Sequence, residues 1–211
     1  MKLTHLLASI AASLSLSAQA AVIVIDPDSF ADGTDISNAV PGVTLSAAGA
    51  GFGNGPSIFS VTSSTQPNEP FTASTGTRVF GTDSLTFPHL FREPGFLNMR
   101  VDLATATNSI SIDYISNDGA DTGFMQAFDS LDNLLGTYTT ASLSANNFET
   151  MTISSGTASI AYILAGGLNG NSSGGLDNLR INAAMVPEPA MLALLGLGLL
   201  GIGVSRRRQA I

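Results

Sequence analysis

The chain has 211 residues, 22 glycines, no cysteine and no tryptophan, and its formal net charge at pH 7 is −8. The absence of cysteine excludes disulfides, thiolate catalysis and Cys-ligated zinc. An acidic surface repels nucleic acid and anionic lipid, so neither is expected as a partner of the folded body.

The first twenty residues have the order of parts that defines a secretory signal peptide. Lys2 provides the positive start, an apolar stretch follows, and Ala18 and Ala20 provide the small side chains that signal peptidase requires. We therefore predict a signal peptide over residues 1–20, with cleavage after Ala20. Signal peptidase is then a partner during export.

Residues 21–184 consist of short apolar runs separated by turn residues, without a helical stripe. The run "SISIDYI" alternates polar and apolar residues and places Ile110, Ile112 and Tyr114 on one face. Strands spaced by about ten residues predict an all-β fold, an antiparallel β-sandwich or jelly roll. The predicted strands are residues 22–25, 42–47, 57–62, 84–87, 99–103, 109–115, 123–128, 134–140, 148–154, 159–166 and 176–182.

Two sequence patterns suggest catalysis, and neither has the context that the chemistry needs. Ser172 lies in a G-x-S-x-G sequence, but a glycine loop surrounds it and no histidine follows it. His89, the one histidine left after signal removal, lies between prolines and phenylalanines that indicate a packed loop. We predict no enzymatic activity. A secreted hydrolase that uses paired carboxylates stays open as an alternative, since the sequence does not select a pair.

The acidic residues of the body suggest a metal site. Without the signal peptide and the C-terminal tail, the body keeps 15 acidic groups, four arginines and no lysine. If the last strand returns beside the first, several carboxylates meet there and suit a structural Ca²⁺, the one cofactor that the residues suggest. The alternative is that Asp177 and Asn178 only cap the loop before the last strand. The candidate ligands are Asp26, Asp28, Asp32 and Asp177.

The C-terminal tail, residues 185–211, has the layout of a short stop-transfer segment. The sequence "VPEP" precedes fifteen apolar or glycine residues at positions 190–204, and three arginines follow. A full bilayer span needs about 20 apolar residues, and these fifteen predict a short transmembrane helix. The arginines stay cytoplasmic after export of the N-terminus. A permanent anchor without processing is the alternative.

The tail resembles a PEP-CTERM sorting signal. The resemblance assigns the recognition motif to Val186, Pro187, Glu188 and Pro189, the helix to residues 190–204, and the stop-transfer charges to Arg206, Arg207 and Arg208. It implies a protein of a Gram-negative, often biofilm-forming bacterium, which a membrane-embedded exosortase recognises and whose tail is removed. The inner membrane is then a transient partner, and the mature form is expected at the cell surface or in the extracellular matrix.

The body is similar, at the level of fold, to the β-sandwich domains that precede such tails and to jelly-roll carbohydrate-binding modules. The similarity lies in "DGTDISNAVPGVTLSA" near the start of the body and "GLDNLRIN" near its end. A likeness of fold transfers no ligand. The expected function is a structural or adhesive role in biofilm exopolysaccharide. The alternative is a carbohydrate-binding surface protein with polysaccharide as its partner.

Overall fold

The computed structural model describes residues 22–49, 57–65, 72–82, 91, 97–168, 172 and 174–182. The predicted signal peptide, the Val186–Pro189 motif, the apolar stretch and the arginine cluster lie outside the described residues, as do His89 and the predicted strand at 84–87. Within the described residues, no helix is both long and apolar enough to cross a bilayer.

The described part of the body is built from strands. Their bounds are β1 Val22–Ile25, β2 Val43–Gly49, β3 Ser57–Phe59, β4 Val61–Thr65, β5 Arg78–Thr82, β6 Leu97–Thr107, β7 Ser109–Ser116, β8 Gly123–Phe128, β9 Leu134–Thr139, β10 Phe148–Ser154, β11 Ile160–Gly167 and β12 Gly174–Asn182. One short 3-10 helix, Pro27–Ser29, follows β1.

The strands form two antiparallel sheets, which confirms the predicted all-β class. Sheet A has the order β10-β7-β12-β5-β4, with β1 also paired to β12. Sheet B has the order β3-β2-β6-β11-β8-β9. The two sheets share one core, in which Ile112 and Tyr114 of sheet A join Val101 and Ile163 of sheet B. This is the arrangement of a β-sandwich.

Strand alternation decides which side chains leave the core. Ile110, Ile112 and Tyr114 share one face of β7, as predicted, and this face is buried between the sheets. Successive side chains of a strand point to opposite faces, so Asp113 lies on the outer face of sheet A. By the same rule Arg100, which follows the buried Met99, lies on the outer face of sheet B.

The predicted strand at residues 57–62 is wrong as a single element. The structure divides it at Ser60 into β3, which pairs with β2 in sheet B, and β4, which pairs with β5 in sheet A. The chain changes sheets here, and a local apolar pattern carries no information about which strand will be the partner. The prediction also missed β5, whose five residues include Arg78 and Gly81.

Strand β12 is central to sheet A and carries a β-bulge. It pairs with β7 on one side, and with β5 and then β1 on the other. Between Asp177 and Arg180, two residues of β12 lie opposite one residue of β7. Asn178 at the bulge has a φ of +52°, which Asn tolerates better than most residues. The bulge leaves Leu179 in the core and Asp177 on the outer face.

Candidate functional site

Two aspartates lie side by side on the outer face of sheet A, beneath residues 72–77. Asp113 of β7 and Asp177 of β12 are register partners, and only 2% and 0% of their surfaces are exposed. The Ser74 hydroxyl lies 2.9 Å from Asp113 Oδ2 and 2.8 Å from Asp177 Oδ2. A hydroxyl has one proton to donate. The single proton is therefore shared between the two carboxyl groups or given to one of them at the expense of the other.

One oxygen of Asp177 is fully engaged and the other is not. Oδ2 also accepts a hydrogen bond from the Thr75 amide at 2.9 Å. Oδ1 is buried and has no hydrogen-bond partner among the described residues. Burial raises the pKa of Asp177 to about 6, although the bonds from Thr75 and Ser74 act to lower it. A buried carboxylate oxygen without a donor is costly, and a bound cation relieves that cost.

Asp26 and Asp28, which follow β1, approach Asp177 and the segment 72–77 respectively. Asp26 is close enough to Asp177 to contribute to its raised pKa. Its Oδ1 accepts a hydrogen bond from the Asp28 amide at 2.8 Å and so caps the 3-10 helix. Asp28 Oδ1 accepts from the Thr77 amide at 2.9 Å. Asp28 Oδ2 is a second buried carboxylate oxygen without a partner in the described part of the chain.

Residues 72–77 lie directly over the carboxylates of Asp28 and Asp177. Gly76 has a φ of +52°, and a Cβ at this position would lie 2.2 Å from Asp28 Oδ2. The segment therefore bonds Asp177 through Thr75 and Asp28 through Thr77, with a glycine between them. No side chain larger than hydrogen fits at the middle of this segment without moving Asp28.

The fourth predicted ligand, Asp32, bonds a different segment from the one that bonds Asp28 and Asp177. Asp32 Oδ1 accepts a hydrogen bond from the Thr65 amide at 2.6 Å, at the end of β4. Strand β5 separates β4 from β12. The predicted return of the last strand beside the first is confirmed by the pairing of β1 with β12, and it brings Asp26 near Asp177. Asp28 is linked to Asp177 through the segment 72–77, which bonds both side chains.

The three aspartates supply the kind of oxygen that calcium prefers, without already forming a ligand cage. Within the described residues, no three His, Asp or Glu side chains are arranged to hold a metal ion together. Ca²⁺ takes six to eight oxygen ligands in a flexible geometry, from carboxylates, backbone carbonyls and water. The unpartnered oxygens of Asp28 and Asp177 fit that chemistry, and the neighbouring Asp26 adds a third negative charge.

Asp113 was not among the predicted site residues, although the sequence contained the signal. It follows Ile112 in an alternating strand, so it had to lie on the face opposite the core. It accepts a hydrogen bond from Thr150 at 2.6 Å and lies 3.4 Å from the Arg180 guanidinium.

The two catalytic alternatives from the sequence fall on buried side chains. For a paired-carboxylate hydrolase, the adjacent carboxylates Asp113 and Asp177 are both buried. Ser172 is 3% exposed, and its hydroxyl accepts from the Thr122 amide at 3.1 Å.

The comparisons with known proteins concern the tail and the body separately. The sequence model of the PEP-CTERM protein-sorting motif matches residues 186–208. Comparison with curated proteins gives no match.

Among solved structures, the body is similar to two adhesin domains and one carbohydrate-binding domain, each at 12% identity. The K2 cleaved adhesin domain of Lys-gingipain has a TM-score of 0.45 and covers 78% of this chain and 100% of that chain. The CBM22-1 xylan-binding domain of Xyn10C from Paenibacillus barcinonensis has a TM-score of 0.44, and the match covers 80% of this chain and 99% of that domain. The K1 cleaved adhesin domain of Lys-gingipain from Porphyromonas gingivalis W83 has a TM-score of 0.33, and the match covers 78% of this chain and 99% of that domain. At these values none of the three decides what the body binds.

Proposed function

From the PEP-CTERM protein-sorting motif that this chain carries at residues 186–208, we propose that it is exported with a signal peptide and that its tail is removed by an exosortase. The mature body then acts as a non-enzymatic structural or adhesive protein at the cell surface or in the extracellular matrix of a Gram-negative bacterium. The motif is the observation that carries this proposal, because a protein-sorting motif directs the export and processing of the chain that carries it. The two-sheet body supplies a stable unit to deliver.

The experiment that tests the sorting is mass spectrometry of the C-terminus of protein extracted from the surface of its host. We expect no peptide that contains Arg206, Arg207 or Arg208. A control strain that carries Glu188→Ala in the motif should retain the tail. Mature wild-type protein that still ends in the arginine cluster would contradict the processing and leave an anchored protein.

We also propose that Asp26, Asp28 and Asp177 hold a structural Ca²⁺ in the exported body. The support is the pair of buried carboxylate oxygens, Oδ2 of Asp28 and Oδ1 of Asp177, that have no partner among the described residues. A cation there ties β1 and β12 to residues 72–77, which already bond both carboxylates. Calcium suits a body that is rich in carboxylates and poor in cations.

Thermal unfolding of the protein in Ca²⁺ and in EGTA tests the calcium site. At 100-fold excess over Kd, binding stabilises by about 2.7 kcal/mol, which raises the Tm by roughly 5–10 °C for a domain of this size. Asp177→Asn and Asp28→Asn should abolish the Ca²⁺-dependent rise. Asp32→Asn is the matched control and should keep it. Equal melting temperatures in Ca²⁺ and EGTA for the wild-type protein would exclude the site.

A further inference from the structure

The outer face of sheet B carries an ordered row of polar and aromatic side chains that ends in one leucine. Consecutive register partners form this row across β2, β6, β11, β8 and β9. Five strands spaced by about 4.8 Å make a surface about 19 Å wide. The row consists of Thr44, Asp102, Tyr162, Phe128 and Leu134.

At the centre of the row, Tyr162 is held between two neighbours. Its ring stacks on Phe128 with centroids 4.7 Å apart and planes inclined by 8°. The Arg100 guanidinium carbon lies 3.8 Å from the Tyr162 ring centroid. Two groups this close to one ring occupy its opposite faces. The half-buried Phe128 therefore keeps its second face turned away from Tyr162.

Further bonds fix the polar groups beside these rings. Arg100 Nε donates to Asp102 Oδ2 at 2.8 Å, and Nη2 donates to Asp102 Oδ1 at 2.7 Å. Hydrogen bonding to Asp102 raises the pKa of Arg100. The Tyr162 hydroxyl donates to Asp132 at 2.9 Å. Exposed ion pairs contribute only about 0–1 kcal/mol, so stability alone gives little reason for so ordered a cluster on an outer face.

The chemistry of this face selects one class of ligand. Aromatic faces pack against the apolar CH groups of a sugar ring, while fixed amide, carboxylate and guanidinium groups bond its hydroxyls. Among the described residues of sheet B, Arg100 is the only cation, and Asp102 neutralises it. The face therefore offers no net positive charge to an anionic polymer. Beside the aliphatic Leu134 and Leu164, the face carries hydroxyl, amide and ionic groups, and this mixture differs from the apolar core of a protein interface.

We propose that the outer face of sheet B binds a neutral polysaccharide across its strands. The face of Phe128 that Tyr162 leaves uncovered stacks on one sugar ring. Arg100, Asp102 and Gln126, which lies half-buried on β8, bond the hydroxyls of the neighbouring units. This inference rests on the proposed export, since it is outside the cell that the body meets polysaccharide.

Affinity electrophoresis of the mature protein tests the proposal. The gels contain soluble xylan, galactomannan, hydroxyethyl cellulose or dextran, with alginate as an anionic comparison. We expect retardation by at least one neutral polymer and none by alginate. Phe128→Ala should weaken binding about tenfold, as the loss of one aromatic contact does. Arg100→Ala should weaken it to a similar extent, and Phe128→Tyr should retain it.

Phe148→Ala is the matched control. Phe148 is 50% exposed on the edge strand of sheet A, so its loss should leave binding unchanged. A thermal melt of each variant first confirms that it folds. If Phe128→Ala does not fold, Arg100→Ala is used to test the proposal. Retardation by no polymer, retardation by alginate alone, or equal effects of Phe128→Ala and Phe148→Ala would overturn the proposal. Tail removal is measured separately, so a failure of sorting is distinguished from a failure of binding.

Discussion

Burial in the folded protein disfavours the ionised form of Asp177. Its pKa is raised from 3.8 to about 6, chiefly by burial. The native state therefore binds more protons than the unfolded state between about pH 4 and pH 6, so metal-free stability falls as pH rises through this window. The full loss above pH 6 is about 3 kcal/mol.

Urea unfolding in EGTA at pH 4.5, 5.5 and 7.0 measures this loss. Other groups also titrate, so the difference between wild type and Asp177→Asn isolates the contribution of Asp177. The variant should lack the fall. If the difference between the two proteins is constant with pH, the burial of an ionisable Asp177 does not control the pH dependence.

Tyr114 is a second buried polar side chain, and it is uncharged. The side chain is fully buried between the sheets, and its hydroxyl has no hydrogen-bond partner in the described part of the chain. Tyr114→Phe removes an unsatisfied polar group and keeps the ring, so we expect the free energy of unfolding to stay equal or to rise by about 1 kcal/mol. Tyr114→Ala leaves a cavity and should cost about 3–5 kcal/mol. Chemical denaturation compares the three proteins, and a large loss in Tyr114→Phe would show that the hydroxyl is bonded.

At the scale of elements, residues 72–77 act as a cover that a single glycine makes possible. Gly76 and Gly33 both have positive φ values, +52° and +74°. A Cβ at Gly76 would meet the Asp28 carboxylate at 2.2 Å, whereas nothing lies within 4 Å of one at Gly33. Both alanine variants carry the backbone strain of about 1 kcal/mol, but only Gly76→Ala displaces Asp28.

We therefore expect Gly76→Ala to lower the Tm more than Gly33→Ala does, by the equivalent of a further 1–3 kcal/mol, which is about what overpacking costs. Gly76→Ala should also lose the rise in Tm on addition of Ca²⁺, and Gly33→Ala should keep it. Calorimetry of both variants in Ca²⁺ and in EGTA gives the comparison. Equal behaviour of the two would mean that the cover over Asp28 adapts freely.

The strands that sequence reasoning located well are those whose pattern is local. Val22–Ile25, Gly123–Phe128 and Phe148–Ser154 have the predicted bounds. Turn residues flank the last two strands, and Val22–Ile25 is an apolar run that ends at an Asp-Pro sequence. The change of sheet at Ser60 was missed because a change of partner leaves no local trace. The acidic site was foreseen only in part for the same reason. Asp26 and Asp177 followed from the expected pairing of first and last strands, whereas Ser74 and Asp113 meet across 39 residues.

At the scale of the whole body, the acidic site joins segments that are far apart in sequence. Thr75 and Asp177 are 102 residues apart, and Asp28 and Thr77 are 49 apart. The proposed cation would hold the first strand, the covering segment and the central strand of sheet A together. Sheet B contributes no residue to this group. Calcium should therefore protect the body unevenly.

Hydrogen exchange with and without Ca²⁺ measures that unevenness. We expect Ca²⁺ to slow exchange at the amides of Asp28, Thr75 and Thr77, since each donates to one of the acidic side chains. Local opening of this region becomes rarer when the cation binds only the closed form. Amides of β8 and β9 in sheet B should change little, except for global unfolding. Uniform slowing over both sheets would instead indicate that the metal acts only on global stability, and no slowing at Thr75 and Thr77 would place any bound calcium elsewhere.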